Sequence, residues 1–448
     1  MSREPQENLI EKLVSLCKRR GFIYPGSEIY GGLAGTWDYG PLGIELKNNI
    51  RDVWWRFFVR SRCDMYGIDS AILMNPKVWE ASGHVGGFSD PMVECKKCKR
   101  RFRTDQLPEM SDLKSEKRSD LCPECGGKLG EARQFNMMFK THVGPVEDAT
   151  SSSYLRPETA QGMFVNFKNI IDSFHPKLPF GIAQIGKAFR NEIAPRDFLF
   201  RAREFEIMEF EYFVRKEEWE RHFDYWQSEM MRWIDTIGIA RKNVHEVKVP
   251  EGELAHYSKR TTDLYFDFPF GQKELYGLAY RTDFDLKNHS IISRQKLEYS
   301  EDGGEPITPH VIEPTFGLDR TVLAVLTSAY TEDEMGGEKR VFLKLKPSIA
   351  PVKAAVFPLL KNKPELVKKA NEVFDLLRAE IDGVAFDDNG NIGKRYRRQD
   401  EIGTPFCITI DFDSLKQNDV TVRARDTGKQ ERVTITELTD YIEKRLSL

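Results

Sequence analysis

The stretch Gly181–Phe213, GIAQIGKAFRNEIAPRDFLFRAREFEIMEFEYF, constrains this chain more than any other. Two runs with period-two alternation flank a loop carrying Pro195, Arg196 and Arg201, which predicts strands over Gly181–Glu192 and Glu204–Val214. On that alternation Arg190 and Glu192 share a face of the first strand. Phe205, Ile207, Glu209 and Glu211 share one on the return, with Arg203 just before them. A core face would be apolar, and a solvent face would not set phenylalanine among charges. The mixture suits a site that activates a carboxylic acid with ATP. A guanidinium can hold an α-phosphate through two N–H groups, a phenyl face can stack on adenine, and carboxylates can grip an ammonium.

A second segment, EPTFGLDRTVLAVL from Glu313, fits the same reading. Glu313 and Thr315 share a strand face, Gly317 permits a tight entry into a helix from about Leu318, and Arg320 falls in that helix's first turn. A cation there opposes the helix dipole, so a functional role gains weight over a surface ion pair. Arg320 would lie over an adenine face opposite Phe205, or against the γ-phosphate.

Composition sets broad limits. The chain has 448 residues, 40% hydrophobic and 31% charged, with a formal net charge of -3, so charge alone does not advertise a nucleic-acid partner. Local basic runs exist at Lys96–Arg103 and Lys394–Arg398, and phosphate contacts need no more than a local basic surface. No apolar run approaches the ~18 to 20 residues of a membrane helix. The opening residues lack a secretory pattern and read as an amphipathic helix through Leu9, Leu13 and Leu16, stopped at Gly21. The expected compartment is the cytoplasm, with no membrane partner.

Four of the seven cysteines form two C-x-x-C pairs, Cys95/Cys98 and Cys122/Cys125, while Cys17, Cys63 and Cys407 are scattered. Two such knuckles can supply four thiolates to a closed structural Zn²⁺ site; reduced buried thiols or a redox pair are the alternatives. The pairs lie in a polar, lysine-rich stretch, 93–145, that looks inserted. Before it, a helix is expected over Gly43–Arg60 and a strand over Ile68–Met74. After it come strands at Leu264–Phe268 and Ile312–Phe316 and a helix over Glu217–Ile237. Beyond Pro347, AAVFPLL reads as a strand, Pro364–Ile381 as a helix, and Phe406–Asp411 and Asp419–Arg425 as strands. These predict a small α/β unit with its own core.

Phe189-Arg190-Asn191-Glu192 with its R-x-R-E-F return, followed by G-L-D-R, resembles motifs 2 and 3 of class II aminoacyl-tRNA synthetases. The helix and strand ending at Pro76 resemble motif 1, the dimer interface of that class. YGGLAGTWDYGPLG, ASGHVGGFSDP, LRPETAQG, RTDFDL and EPTFGLDR look like the glycyl-tRNA synthetases of the homodimeric (alpha-2) type, and GKRYRRQDEIGTPFCITID resembles that family's anticodon-binding domain.

The resemblance implies an α+β fold. A class II antiparallel-sheet catalytic domain would span 1–346, with a zinc-ribbon-like Cys₄ insertion at 93–145 and a mainly helical insertion at 215–262. An α/β anticodon-binding domain would span 347–448. It implies ATP-dependent attachment of glycine to the 3′ end of tRNA(Gly) through glycyl-adenylate, by a homodimer joined through motif 1.

Residue by residue, Arg190 would bind the α-phosphate, Glu192 the adenine edge or a bound water, and Phe205 and Arg320 would sandwich adenine, Arg190 and Arg320 being the catalytic pair. Asn191, Phe200, Arg201, Arg203 and Gly317 match nucleotide positions, and Glu274-Leu275 a position near ATP and Mg²⁺. Glycine would be held by Arg103, Glu158, Phe205, Glu209, Glu313 and Thr315, although Thr104 stands where most of the family carries Ala. Arg281 would hold either the glycine carboxylate or an ion pair with Asp283 or Asp285. His84, His256 and His289 read as structural sooner than as bases. Arg395, Tyr396 and Arg397 would touch the anticodon. Many family members lack the four cysteines, so zinc rests on the residues themselves. A non-catalytic RNA-binding relative is disfavoured because Arg190, Glu192, Phe205 and Arg320 are all present, and another class II specificity is disfavoured by EPTFG and RPETAQG.

Overall fold

In the computed structural model, residues 4–104, 107, 120–148, 151–301 and 304–446 are described; residues 105–106 and 108–119 of the expected insert lie outside them. Alternating apolar residues build the principal sheet from seven strands: β1 (Met65–Gly67), β2 (Phe180–Phe189), β3 (Glu204–Val214), β4 (Val244–Lys248), β5 (Arg260–Phe268), β6 (Gly271–Thr282) and β7 (His310–Gly317). Their spatial order is β4-β5-β6-β7-β3-β2-β1. Every pairing is antiparallel except that of β1 with β2.

Period two gives the sheet unlike faces. On the back, Met208, Phe210 and Tyr212 of β3 and Phe316 of β7 join the main core with Trp54, Phe58, Trp226 and Trp233 from the helices Pro41–Trp55 and Trp219–Thr236 and the turn between Arg56 and Arg60. Phe210 meets Trp226 at 4.6 Å between ring centres and Phe58 at 5.6 Å. An edge-rich aromatic cluster of this kind stabilises beyond its buried area and holds the sheet rigid from behind. The front face carries Phe205, Ile207, Glu209 and Glu211.

Two expected strands differ from those observed. The segment Ile68–Met74 is not a strand; the strand there is Met65–Gly67, because the side chains that follow turn to other tasks. Ser70 Oγ accepts from the Gln184 side-chain amide at 2.8 Å, and Ser70 O accepts from Arg156 Nη1 at 2.8 Å. Gly67 ends the strand where a Cβ would meet the Trp55 ring at 2.2 Å. The first arm of the hairpin stops at Phe189, so Arg190 and Glu192 do not share a strand face. The Asn191 N–H leaves the ladder to bond Met137 O at 2.7 Å, and Glu192 N–H turns back to Arg190 O at 2.7 Å.

The sheet Ser89–Glu94, Arg101–Arg103 and Arg133–Asn136 carries the cysteine-bearing segment. Residues 215–262 supply both the helix Trp219–Thr236 and the edge strand β4. Past residue 350, three parallel strands and two antiparallel ones surround a separate core with the helix Pro364–Glu380. That part is fastened to the rest through buried charge. Asp400, fully buried, accepts from Arg423 at 2.9 and 3.0 Å and from Arg340 of the hairpin Tyr330–Leu343 at 3.2 Å. Among the described residues no helix is long and apolar enough to cross a membrane.

Candidate active site

Register places the acids. Glu209 of β3 lies opposite Thr315 of β7, and Thr315 Oγ1 donates to Glu209 Oε1 at 3.1 Å while Thr159 donates to the other oxygen. Burial, and then the charge of Glu158, raises the Glu209 carboxyl above its ordinary range. Glu158 enters from the turn before the helix Ala160–Val165. His84 Nε2 approaches it at 3.2 Å and Gln161 Nε2 donates at 2.9 Å. Burial opposes its ionisation, but His84, Arg281 and Gln161 together hold it well below the usual carboxylate range. His84 therefore serves to orient and charge Glu158, with its own Nδ1 2.8 Å from Ser82 Oγ.

Arg281 of β6 is 1% exposed and bonds Asp285 through two N–H groups at 2.8 and 2.9 Å and Glu313 at 2.7 Å, lying 3.8 Å from the centre of the Tyr257 ring. The ion pair is with Asp285, and its third contact reaches a pocket acid directly. Glu313 is nevertheless pushed up to about 8, by burial first. Beside it Glu211 is fully buried, with no hydrogen-bond partner for either carboxyl oxygen among the described residues. His289 bonds Gln161 Oε1 at 2.7 Å and His256 packs edge-on to Phe284; both hold structure.

Two cavities open on this face. One, about 330 Å³, is bordered by Glu158, Glu209, Glu313, Thr315 and Tyr257. The other, about 240 Å³, is bordered by Glu192, Phe200, Arg201, Phe205, Leu275, Gly317 and Arg320. Arg190, Ile207, Glu274 and Thr315 border both, so they form one cleft with two compartments. Arg190 is anchored by Nε donating to Pro157 O at 3.1 Å, and its guanidinium lies 5.4 Å from the Phe205 ring centre and 5.3 Å from that of Phe88. Arg320 donates to Glu274 O at 3.0 Å, meets the Glu274 carboxylate at 3.2 Å and lies 4.4 Å from the Phe200 ring centre. Its neighbour Asp319 accepts from Glu206 N–H at 2.7 Å.

Several expected site residues stand elsewhere. Arg203 borders neither compartment; it donates to Ala34 O at 2.6 Å and to Glu192 O at 3.1 Å, fixing the loop that carries Glu192. Asn191 likewise borders neither and is held through its backbone. Arg103 pairs with Asp90 on the small sheet, although its charge still acts on Arg201. Arg395 is 1% exposed and donates to the carbonyls of Pro358, Asp388 and Gly390. An interior clamp of this kind has no edge for a base, so Arg395 is not an anticodon contact. Tyr396 is partly buried, with its hydroxyl 2.6 Å from Thr409 Oγ1, and Arg397 meets Glu338 at 3.1 Å. Both border a cavity of about 800 Å³ that Lys394 and Arg398 also line.

Sequence reasoning missed Asp263, Tyr257, Thr159 and Gln161. Thr159 and Gln161 lie inside the RPETAQG run, whose regularity could have flagged them. Asp263, pushed up to about 7 by burial and by Glu274, has no local signal. Apart from the cleft, the sulfurs of Cys95, Cys98, Cys122 and Cys125 all lie within 4.8 Å of one another, two pairs at 3.5 and 3.7 Å. A tetrahedron with metal–sulfur bonds of about 2.3 Å has edges of about 3.8 Å, so this donor set fits a thiophilic ion such as zinc.

Residues 139–329 match the family of class II tRNA synthetase core domains (G, H, P, S and T), and residues 353–445 match the anticodon binding domain family. The chain is 50% identical to the glycine--tRNA ligase of Alkaliphilus oremlandii, over 98% of this chain and 99% of that protein. The corresponding ligase of Caldanaerobacter subterraneus subsp. tengcongensis is also 50% identical, over 99% of each chain. That of Bacillus cereus is 50% identical over 98% of this chain and 99% of its own length.

Proposed function

The chain belongs to the glycine--tRNA ligases, class II synthetases that join glycine to tRNA with ATP, and on that premise we propose that the cleft holds the two small substrates side by side across Arg190. The glycine carboxylate attacks the α-phosphorus of ATP, the bond to pyrophosphate breaks, and glycyl-adenylate forms. The 3′-terminal hydroxyl of tRNA then attacks the adenylate carbonyl and AMP leaves.

No covalent catalyst is needed, because positioning and charge stabilisation suffice for such a transfer. Arg190 neutralises the α-phosphate while the Pro157 carbonyl fixes its orientation. Phe205 and Arg320 flank the adenine in the smaller compartment, with Glu192 and Arg201 at its edge. Glu158, Glu209 and Glu313 receive the ammonium, and Thr315 aims Glu209 at it. Larger amino acids are excluded by walls, since attraction discriminates a single methyl by only about 1–3 kcal/mol.

The half-exposed Glu274 carboxylate at the rim is the oxygen donor suited to Mg²⁺ arriving with ATP, an ion that supplies charge neutralisation on the phosphates. The four cysteines would hold a structural zinc ion that organises the cysteine-bearing segment and takes no part in the transfer. Tyr396 and Arg397 face the anticodon stem-loop from the 353–445 unit, a second copy joins through the motif 1 elements, the helix Pro41–Trp55 and the stretch ending at Pro76, and the enzyme works in the cytoplasm.

The observation that carries the residue-level reading is that Arg190 and Thr315 border both compartments. ATP–pyrophosphate exchange with each of the twenty amino acids tests it. Exchange driven by glycine alone is expected; exchange with proline or serine would overturn it.

A further inference from the structure

At and directly beneath the acid-lined compartment, with Glu211 and Asp285 behind its lining, carboxyl groups outnumber the cations that could balance them. Glu158, Glu209, Glu211, Glu313 and Asp285 are all nine-tenths or more hidden by burial of their carboxyls, apart from Glu158 at its rim. The guanidinium in contact with them is that of Arg281, which lies between Asp285 and Glu313. From the remaining elements, His84 stands behind Glu158, His289 behind Gln161, and the Tyr257 hydroxyl lies within reach of the same field. Arg190, Glu253, Glu274 and Asp263, the last pushed up to about 7 by burial, border the compartment farther along.

Glu211 is the unbalanced member. The register of β3 and β7 sets Glu209 opposite Thr315 and Tyr212 opposite Ile312, so Glu211 and Glu313 are cross-strand neighbours on the front face. Neither oxygen of Glu211 has a hydrogen-bond partner among the described residues. An ionised carboxylate taken from water without partners costs several kcal/mol, so the stable form of this group is the neutral acid. Burial and the adjacent Glu313 act in the same direction.

We propose that glycine enters by displacing a proton: the empty pocket keeps one proton on the Glu211–Glu313 pair, and the substrate's ammonium takes over its charge-balancing role. The reaction balances as pocket-COOH plus zwitterionic glycine giving pocket-COO⁻ with bound ammonium and one proton released to water; no bond of glycine breaks and no electron moves. The proton belongs to the pair, since two interacting acids titrate together. Recognition of the amino group is thereby tied to pH, and a pocket that would otherwise repel itself stays assembled when empty. The proposal rests on glycine occupying this compartment.

Calorimetry of glycine binding to the full chain, in buffers of different ionisation enthalpy at neutral pH, counts the protons released. A value near one is expected, together with a glycine Kd that falls as pH rises from about 6 to about 8, by up to about tenfold per unit. Glu211→Gln, which keeps the shape and removes the second acid, is expected to flatten that pH dependence and lower the proton count while leaving the KM for ATP unchanged. Binding of glycine with no proton released overturns the proposal and leaves the pocket assignment standing. Absence of glycine binding overturns both. An unaltered proton count in Glu211→Gln removes Glu211 from the pair.

Discussion

Replacing Asp400 by Asn should destabilise the C-terminal unit and loosen its junction with the rest of the chain. The carboxylate is fully buried and receives two N–H groups from Arg423 and one from Arg340. Arg340 retains Asp333, at 2.6 Å, but Arg423 keeps no carboxylate within ion-pair distance among the described residues. Removing one partner of a buried pair leaves an uncompensated charge and costs about 3–5 kcal/mol. The stranded Arg423 lies within the C-terminal unit, and the lost Arg340 contact lies at its junction with the hairpin Tyr330–Leu343, so the loss falls mainly on that unit. With a urea m-value of about 2 kcal/mol/M, the first unfolding step should move down by about 2 M. Glu332→Gln, on the same hairpin, is the control. Its pair with Lys12 is about half exposed on both sides, where such pairs contribute at most about 1 kcal/mol. The assay is urea unfolding followed by fluorescence, with exchange and tRNA charging measured on the folded variant. Charging should fall while glycine-dependent exchange persists. A midpoint indistinguishable from that of Glu332→Gln would refute the argument.

Arg190→Ala should lower ATP–pyrophosphate exchange by about 10²–10³-fold with an unchanged unfolding midpoint, because the variant keeps the backbone bonds to Arg203 and Glu192 and, of its hydrogen bonds among the described residues, loses only that of the side chain to Pro157 O. Phe205→Ala should weaken ATP by about 1–3 kcal/mol of lost stacking, read as a raised KM for ATP with the KM for glycine little changed. Elemental analysis should find about one zinc per chain, and Cys122→Ser should lose it and make residues 93–136 sensitive to protease while the unfolding of the C-terminal unit is unaltered. Thr315→Val removes the hydroxyl that aims Glu209; the KM for glycine should rise about tenfold, a loss of about 1.4 kcal/mol for one hydrogen bond to a charged group.

What the sequence revealed and what it hid follow from the range of the forces involved. β3 was legible to the residue, Glu204–Val214, because strand alternation is a local signal. So were the helix start at Leu318 and the four cysteines, each defined by near neighbours. The end of β2 was not, since Asn191 is drawn off by Met137, more than fifty residues away in sequence. Arg395 shows the same limit in the C-terminal part. Within a run of basic residues it looks like its neighbours, and only the fold reveals three carbonyls waiting for its guanidinium. Arg281 allowed two readings, a hold on the glycine carboxylate or an ion pair with Asp283 or Asp285, and the fold sets its guanidinium between Asp285 and Glu313. Arg203 carried the right chemistry for a phosphate, but the carbonyls of Ala34 and Glu192 claim it.

The pairing of β3 with β7 has a consequence for anyone wishing to redesign the enzyme. Two of the compartment's acids, Glu209 and Glu313, sit on adjacent strands of a rigid sheet with the aromatic core directly behind them, while Glu158 comes from a turn. Room for a bulkier amino acid on this wall comes from trimming Glu209, Glu313 or Thr315, the same side chains assigned to the amino group. Each enlargement would therefore loosen the hold on every amino acid as it admits a new one. Selectivity and grip reside in the same atoms, so a broadened enzyme would have to find a new site for the ammonium before it could accept a new substrate well.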